Sequence, residues 1–271
     1  MKGCTIDRIK IPSTGRDIRM IIIKPSERRA ELTPGILWLH GGGYISGMPE
    51  MVFFTRGYAL VRKYGAVVVA PAYRLSFENP YPAALEDCVS ALKWLKDNAA
   101  TLGVDSGRIM VGGESAGGGL TAAVCMHARD FGYAKISFQM PLYPMLDDRP
   151  TPSSIDNYAP VWDTNKNLWS WKQYLKGLED IPPYAAPGRQ TDYSNLPPCY
   201  TYVGDIEPFY CETLTYVDNL QKAGVPAKVD VYPGWFHAYD IYQSKNPQSR
   251  RAIAEFERQY LFAAEHYRTL G

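Results

Sequence analysis

The stretch Gly113-Glu114-Ser115-Ala116-Gly117 constrains this 271-residue chain more than any other feature. It follows a short apolar run, Arg108–Val111, that predicts a strand, and it precedes Leu120–Arg129, which predicts a helix. A serine between small residues in such a strand-to-helix turn has an exposed hydroxyl above a helix N-terminus. The spacing therefore predicts a nucleophile at Ser115. The alternatives are a generic glycine turn and a phosphate loop, and the lack of a following Gly-Lys-Ser/Thr argues against the latter.

Short apolar runs alternate with longer amphipathic segments along the rest of the chain. Ile36–Leu39 and Ala66–Ala70 predict buried strands, and Ala83–Ala99 carries apolar side chains at helical spacing. Further strands are predicted at Ile18–Lys24, Ile136–Met140, Tyr200–Val203 and Val229–Tyr232, and further helices at Tyr210–Ala223 and Gln248–Leu270. This alternation predicts an α/β fold with a mostly parallel central sheet flanked by helices. Since 46% of the residues are hydrophobic, we expect one core and a single domain over residues 1–271.

The stretch from Asp147 to Pro198 interrupts this alternation. It is rich in Pro, Asp, Asn, Trp and Tyr, and only Leu168–Leu175 predicts a short helix within it. A long segment of this kind over the carboxyl edge of a sheet is usually functional, so we expect a cap over approximately residues 147–198. Its aromatic side chains either stack on a sugar or aromatic alcohol or pack the insertion onto the sheet; they include Tyr158, Trp162, Trp169 and Trp171.

Charge and cysteine usage exclude several classes of protein. With 29 Lys and Arg against 28 Asp and Glu, the net charge of +1 offers no global field for nucleic acid or an anionic membrane. The five cysteines form no CxxC pair, so we expect free thiols and neither a disulfide framework nor a metal site. No apolar run approaches the roughly 18 residues of a membrane span, and the first residues lack the apolar core of a signal peptide. We therefore expect a cytoplasmic protein that binds neither membrane nor nucleic acid.

A second glycine cluster, His40-Gly41-Gly42-Gly43-Tyr44, directly follows the predicted strand Ile36–Leu39. Without side chains, the backbone can turn its N–H groups toward a substrate oxygen that becomes negative during acyl transfer. The amides of Gly42, Gly43 and Ala116 are the natural donors of such an oxyanion hole. The alternative is a plain tight turn, and in either case we interpret His40 as a structural hydrogen-bonding residue.

The general base is predicted from the position of one histidine. His237 follows the last predicted strand in Pro233–Ala238, whereas His127 and His266 lie in predicted helices. Loops after late strands carry the base in this architecture, and an acid between Ser115 and His237 must orient the imidazole. Asp205 and Glu207 both follow the preceding strand. The residues alone leave the choice between them open.

Together, these motifs and Pro71-Ala-Tyr-Arg-Leu75 resemble the hormone-sensitive-lipase group of α/β-hydrolases, over about residues 34–237. In that group the acid directly precedes a proline, which implies Glu207 before Pro208, although aspartate is usual there. The resemblance also implies an α/β-hydrolase fold, no cofactor, and an acetyl esterase-like serine carboxylesterase that hydrolyses short acetyl to butyryl esters of small molecules. The motif at residue 40 begins too early for the helical N-terminal cap of many relatives, so the cap is expected to come mainly from the insertion.

Two other functions use the same constellation. Amide or formamide hydrolysis is one, since arylformamidases carry a related glycine loop, but the fuller His-Gly-Gly-Gly form favours esters. A non-catalytic ligand-binding homologue, resembling the gibberellin receptors, is expected to have lost a catalytic group, whereas serine, acid and histidine are all present here. As in some relatives, Val229–Tyr232 and the final helix permit a homodimer contact.

Overall fold

An eight-stranded sheet runs through the computed structural model, which describes residues 3–27 and 30–270. The strands are β1 (Cys4–Ser13), β2 (Arg16–Pro25), β3 (Thr33–Leu39), β4 (Val67–Pro71), β5 (Val104–Glu114), β6 (Phe138–Leu142), β7 (Cys199–Gly204) and β8 (Ala227–Tyr232). Their spatial order is β1-β2-β4-β3-β5-β6-β7-β8. The pairs β1·β2 and β2·β4 are antiparallel and the other neighbours are parallel, so the predicted mostly parallel α/β sheet is confirmed.

Helices cover both faces of this sheet. They are α1 (Arg56–Tyr64), α2 (Ala83–Asp97), α3 (Ala99–Leu102), α4 (Ala116–Phe131), α5 (Thr164–Tyr174), α6 (Tyr210–Lys222), α7 (Tyr239–Tyr242) and α8 (Pro247–His266). Within the described parts of the chain, no helix combines the length and apolar character that crossing a bilayer demands. All five cysteines are free thiols.

Strand β3 shows how the two faces are filled. Leu37 and Leu39 enter the core that helices α2, α4 and α6 cover, and Ile36 and Trp38 enter the second core under α1 and α8. Successive side chains of a strand point to opposite faces, so a strand covered on both sides is apolar throughout. This is why the central strands appear in the sequence as short continuous apolar runs.

Four elements of the described chain were not predicted from the sequence: strand β1, helix α1 and the four-residue helices α3 and α7. Strand β1 alternates exposed and partly buried residues at the edge of the sheet, and it pairs along its whole length with β2 through a turn at Gly15, which has a φ of 74°. Such an edge strand lacks the apolar run that marks the central strands. Helix α1 begins after Thr55, a residue type common at helix starts, but the Thr55 side chain makes no capping hydrogen bond and no Glu or Gln follows three residues later.

The segment predicted as a cap lies between β6 and β7. Its helix α5 begins four residues earlier than expected, because the side chain of Asp163 caps it by accepting a hydrogen bond from the Lys166 amide at 2.9 Å. Tyr174 of this helix stacks on Tyr44 with ring centroids 3.9 Å apart. The segment therefore packs directly on the loop that follows β3.

Candidate active site

Ser115 occupies a tight turn between the last residue of β5 and the first residue of α4. Its φ of 59° and ψ of −120° are unusual for a residue with a side chain, and they store strain at the turn. A Cβ added to Gly113 would lie 2.4 Å from the Leu39 carbonyl oxygen, and one added to Gly117 would lie 2.1 Å from the same atom. The start of α4 thus packs on the end of β3 so closely that only glycine fits at these two positions.

His237 lies between Ser115 and Glu207. Its Nε2 is 2.9 Å from Ser115 Oγ, and its Nδ1 is hydrogen-bonded to Glu207 Oε2. A carboxylate only accepts hydrogen bonds, so Nδ1 donates to it and Nε2 is free to accept the serine proton. All three side chains are buried, with Glu207 fully enclosed.

The carboxyl of Glu207 is held by a second donor. The Gly204 amide donates to Oε1 at 3.1 Å, so both oxygens are engaged. Burial raises the pKa of Glu207, and the imidazole and the Gly204 amide oppose that shift.

Asp205, the other candidate acid, lies apart from the imidazole. Its carboxylate accepts a hydrogen bond from the Gly234 amide at 2.6 Å and is partly exposed. This contact fixes the start of the loop that carries His237. The structure therefore brings Glu207, and not Asp205, to the imidazole.

The glycine loop after β3 lies against the serine. A Cβ on Gly41 would be 3.3 Å from Ser115 Cβ. Gly42 and Gly43 have positive φ values of 124° and 61°, and a Cβ on Gly43 would lie 2.3 Å from the ring of Trp162. The main chain can therefore take this path beside Ser115 only with glycine at these positions.

His40 has the surroundings of a structural residue. Its ring stacks on Tyr73 with centroids 4.0 Å apart, and its Nδ1 lies 2.8 Å from the Gly41 carbonyl oxygen. Burial lowers the pKa of His40 to about 4, which keeps the imidazole neutral. It does not reach Ser115.

A cavity of about 300 Å³ opens onto Ser115 and His237. Its other walls are mainly apolar. They come from the glycine loop, the helical turn Pro49–Phe54, the insertion and the segment after His237, and they include Met51, Val161, Trp162, Ile241 and Tyr242. Of the insertion's aromatic residues, Trp162 lines this cavity and Trp171 is buried against Tyr44 and Tyr174. Trp169 and Tyr158 are 43% and 80% exposed. The packing expectation thus holds for Trp171, whereas Trp162 forms part of the cavity wall.

Several polar residues near the site were missed from the sequence. Glu114, Arg56 and Asp240 are buried near the site, and the rings of Tyr143 and His237 pack in a T-shaped arrangement with centroids 5.0 Å apart. Glu114 and Asp240 lie close in sequence to Ser115 and His237, and this proximity could have indicated them as site residues. Nothing in the sequence around Arg56 indicates that it lies near the site. Among the described residues, no group of three or more His, Cys, Asp or Glu side chains is arranged to hold a metal ion.

Comparison with known proteins gives consistent results. A family model for the alpha/beta hydrolase fold matches residues 36–241. Esterase LipI of Mycobacterium tuberculosis is 36% identical over 225 residues, which are 81% of this chain and 69% of that protein. An acetyl-hydrolase of Streptomyces hygroscopicus is 31% identical over 221 residues, 80% of this chain and 72% of that protein. A solved bacterial heroin esterase matches with a TM-score of 0.89 and 33% identity, over 94% of this chain and 82% of that one.

The chain therefore belongs to the α/β-hydrolase family. Within it, the chain falls in the hormone-sensitive-lipase-like carboxylesterase group that its motifs resembled. The predictions of the α/β-hydrolase fold and of a carboxylic ester hydrolase are confirmed at this level.

Proposed function

We propose that this protein is a serine carboxylesterase that hydrolyses short-chain esters, from acetyl to butyryl, through Ser115, His237 and Glu207. The observation that carries the proposal is the continuous hydrogen-bond chain from Ser115 Oγ through both imidazole nitrogens to the Glu207 carboxylate. A serine hydroxyl is a weak nucleophile at neutral pH unless an adjacent base removes its proton as it attacks. This chain supplies that base and the group that orients it.

In the proposed mechanism, Ser115 Oγ attacks the ester carbonyl carbon while His237 Nε2 takes the serine proton. The bond to the alcohol oxygen then breaks, the imidazolium returns its proton to the leaving alcohol, and the acyl group stays on Ser115. Water next gives a proton to His237 as its oxygen attacks the acyl carbon. The carboxylic acid leaves and Ser115 regains its proton. Glu207 stabilises the imidazolium in both halves of the reaction.

The carbonyl oxygen becomes negative at each tetrahedral stage. The amides of Gly42, Gly43 and Ala116 are the proposed donors to it. Support comes from the path of the glycine loop against Ser115 and from the position of Ala116 at the first residue of a 16-residue helix. A helix N-terminus carries partial positive charge, which favours an anion at that place.

The preference for short acyl groups is supported by the size of the cavity. At about 300 Å³, it lies at the lower end of the range found for small-molecule sites. The Trp162 ring packs against Gly43, and its centroid lies 6.2 Å from the centroid of the His237 ring. This side chain therefore limits the volume available to an acyl group next to Ser115. We propose that residues 147–198 act as the cap that forms this wall. The name of the Streptomyces relative, an acetyl-hydrolase, agrees with a short acyl group.

The test is the hydrolysis of p-nitrophenyl acetate, butyrate and octanoate by the native enzyme and by Ser115→Ala. We expect rapid acetate turnover that decreases with chain length and is abolished in the variant, with its fold retained by circular dichroism. Ser106→Ala, at an exposed position of the same strand, is the matched control and should retain full activity. Near-native activity of Ser115→Ala would refute the mechanism. Lack of ester hydrolysis with serine-dependent formamide turnover would instead identify a formamide hydrolase.

A further inference from the structure

A buried carboxyl directly precedes the serine. Both oxygens of Glu114 accept the indole N–H of Trp38, at 3.0 and 3.1 Å, and the backbone amide of Arg56 donates to Oε1 at 3.4 Å. The Thr55 hydroxyl accepts from the same indole N–H at 3.2 Å and lies close enough to the carboxyl to lower its pKa. The first turn of α1 is thus attached to the end of β5, where Ser115 begins its turn.

A second buried carboxyl lies just after the histidine. Asp240, in α7, has no exposed surface and accepts a hydrogen bond from the Tyr202 hydroxyl at 2.7 Å. The guanidinium of Arg56 faces it, with Nε 3.6 Å from Asp240 Oδ2. Arg56 is itself 7% exposed, so this ion pair is screened little by solvent.

One residue therefore touches both halves of the site. The main chain of Arg56 binds the carboxyl that precedes Ser115, and its side chain neutralises the carboxylate that follows His237. We propose that Arg56 is a positioning residue that holds these two segments together and balances the buried negative charge beside the imidazole. The proposal rests on the proposed esterase function.

The charges around the site support this role. Three buried carboxyls, Glu114, Glu207 and Asp240, share one guanidinium and one imidazole. Burial raises the pKa of Glu114 to about 7, so Glu114 holds a proton over much of the range below neutrality. When His237 accepts the serine proton, the imidazolium pairs with Glu207 and the guanidinium pairs with Asp240. While Glu114 is protonated, each of these buried charges then has a partner.

The groups that bear on this balance come from every element around it. Four groups act on the Arg56 guanidinium: Asp240 in α7, Tyr202 in β7, Tyr143 in the turn after β6 and Glu114 in β5. The carboxyl of Glu207 faces His237, Asp240 and Glu212, and the Tyr239 hydroxyl lies near it. Arg56 is the permanent cation in this set. Without it, Asp240 becomes an unpaired negative charge, and the imidazolium is the cation left to compensate it.

The experiment measures kcat/KM for p-nitrophenyl acetate between pH 5 and 9 in Arg56→Gln, Arg56→Lys and the native enzyme. In Arg56→Gln the imidazolium faces excess negative charge and keeps its proton to higher pH. We expect the acid limb of the profile to shift upward by about one pH unit and kcat to fall at least about tenfold. Arg56→Lys should keep the acid limb near its native position. Arg62→Gln, an exposed position on the same helix, should leave both quantities unchanged.

Asp240→Asn provides a second test that does not depend on the folding of Arg56→Gln. It leaves the guanidinium unpaired, so the acid limb should shift downward, in the opposite direction. A merely structural role lowers activity in both variants without moving the limb, and an unmoved limb in Asp240→Asn, or in a folded Arg56→Gln, overturns the proposal. Failure of the proposed function looks different, because the native enzyme would then show no Ser115-dependent ester hydrolysis at any pH.

Discussion

The substitution Glu114→Gln replaces a buried titrating carboxyl by a neutral amide of nearly the same shape. In the folded protein burial raises the pKa of Glu114 from 4.5 to about 7, whereas in the unfolded chain the carboxyl is exposed to water. A group with a raised pKa contributes its full stability below about pH 4.5 and loses it as the pH rises through about 7. The difference between these two pKa values corresponds to roughly 3 kcal/mol of unfolding free energy.

The assay is urea unfolding of the native protein and of Glu114→Gln at several pH values between 4.5 and 8.5. The unfolding free energy of the variant, relative to the native protein, should increase by up to roughly 3 kcal/mol across this range. The reason is that the amide stays neutral at every pH, so folding of the variant never buries a negative charge at this position. The steepest change should lie between pH 5 and 7.

Glu179→Gln is the control, since this glutamate is exposed and its substitution should leave the pH dependence unaltered. A difference between Glu114→Gln and the native protein that stays constant from pH 4.5 to 8.5 would refute the reasoning. It would mean that Glu114 ionises at its ordinary pH in the folded state, with its charge fully compensated by Trp38, Thr55 and Arg56.

Three further predictions concern activity. Glu207→Ala should lower kcat for p-nitrophenyl acetate by roughly 10³–10⁴-fold, and Asp205→Ala by less than about tenfold; the reverse order would move the acid role to Asp205. Gly43→Ala should lower kcat by roughly 10²-fold or more, because a Cβ there meets Trp162 and displaces the oxyanion loop. Gly177→Ala, also at positive φ but in open space, should change only stability, and equal kcat losses would contradict the loop's role. Trp162→Ala should raise kcat/KM for octanoate relative to acetate, and an unchanged ratio would show that this side chain does not limit the acyl group.

The sequence predicts the site best where the chemistry is local. The turn at Ser115 and the glycine loop are contiguous stretches, and their constraints are steric clashes with neighbouring backbone or side-chain atoms, so residue size alone indicates them. The central strands are predicted for a similar reason, since burial on both faces leaves a continuous apolar run. Strand β1 and helix α1 lack such local marks. Strand β1 is a half-exposed edge strand that pairs with its neighbour β2, and helix α1 packs on parts of the chain that are distant in sequence.

The acid illustrates a different difficulty. Asp205 and Glu207 lie two residues apart after the same strand, and both are suitable in charge and reach. What separates them is the direction each side chain takes as the chain enters α6: Glu207 turns inward to the Gly204 amide and His237, while Asp205 stays at the surface on Gly234. Composition and spacing do not encode that direction, and only the proline after Glu207 pointed to it by resemblance.

Steric and electrostatic constraints therefore act on this site from different parts of the chain. The glycines set where the backbone passes, because a Cβ added at Gly42, Gly43, Gly113 or Gly117 would clash with a neighbouring residue. The charged groups around the imidazole come from α1, β5, α7 and the turn between β7 and α6, and they meet only when the sheet and its helices are assembled. Substitutions at the glycines should thus lower turnover at every pH, whereas substitutions in the charged group should change how turnover depends on pH. The fold separates these two effects. An added Cβ carries no charge and displaces the backbone amides that are proposed to bind the oxyanion. Loss of the Arg56 guanidinium instead changes the free energy of protonating His237.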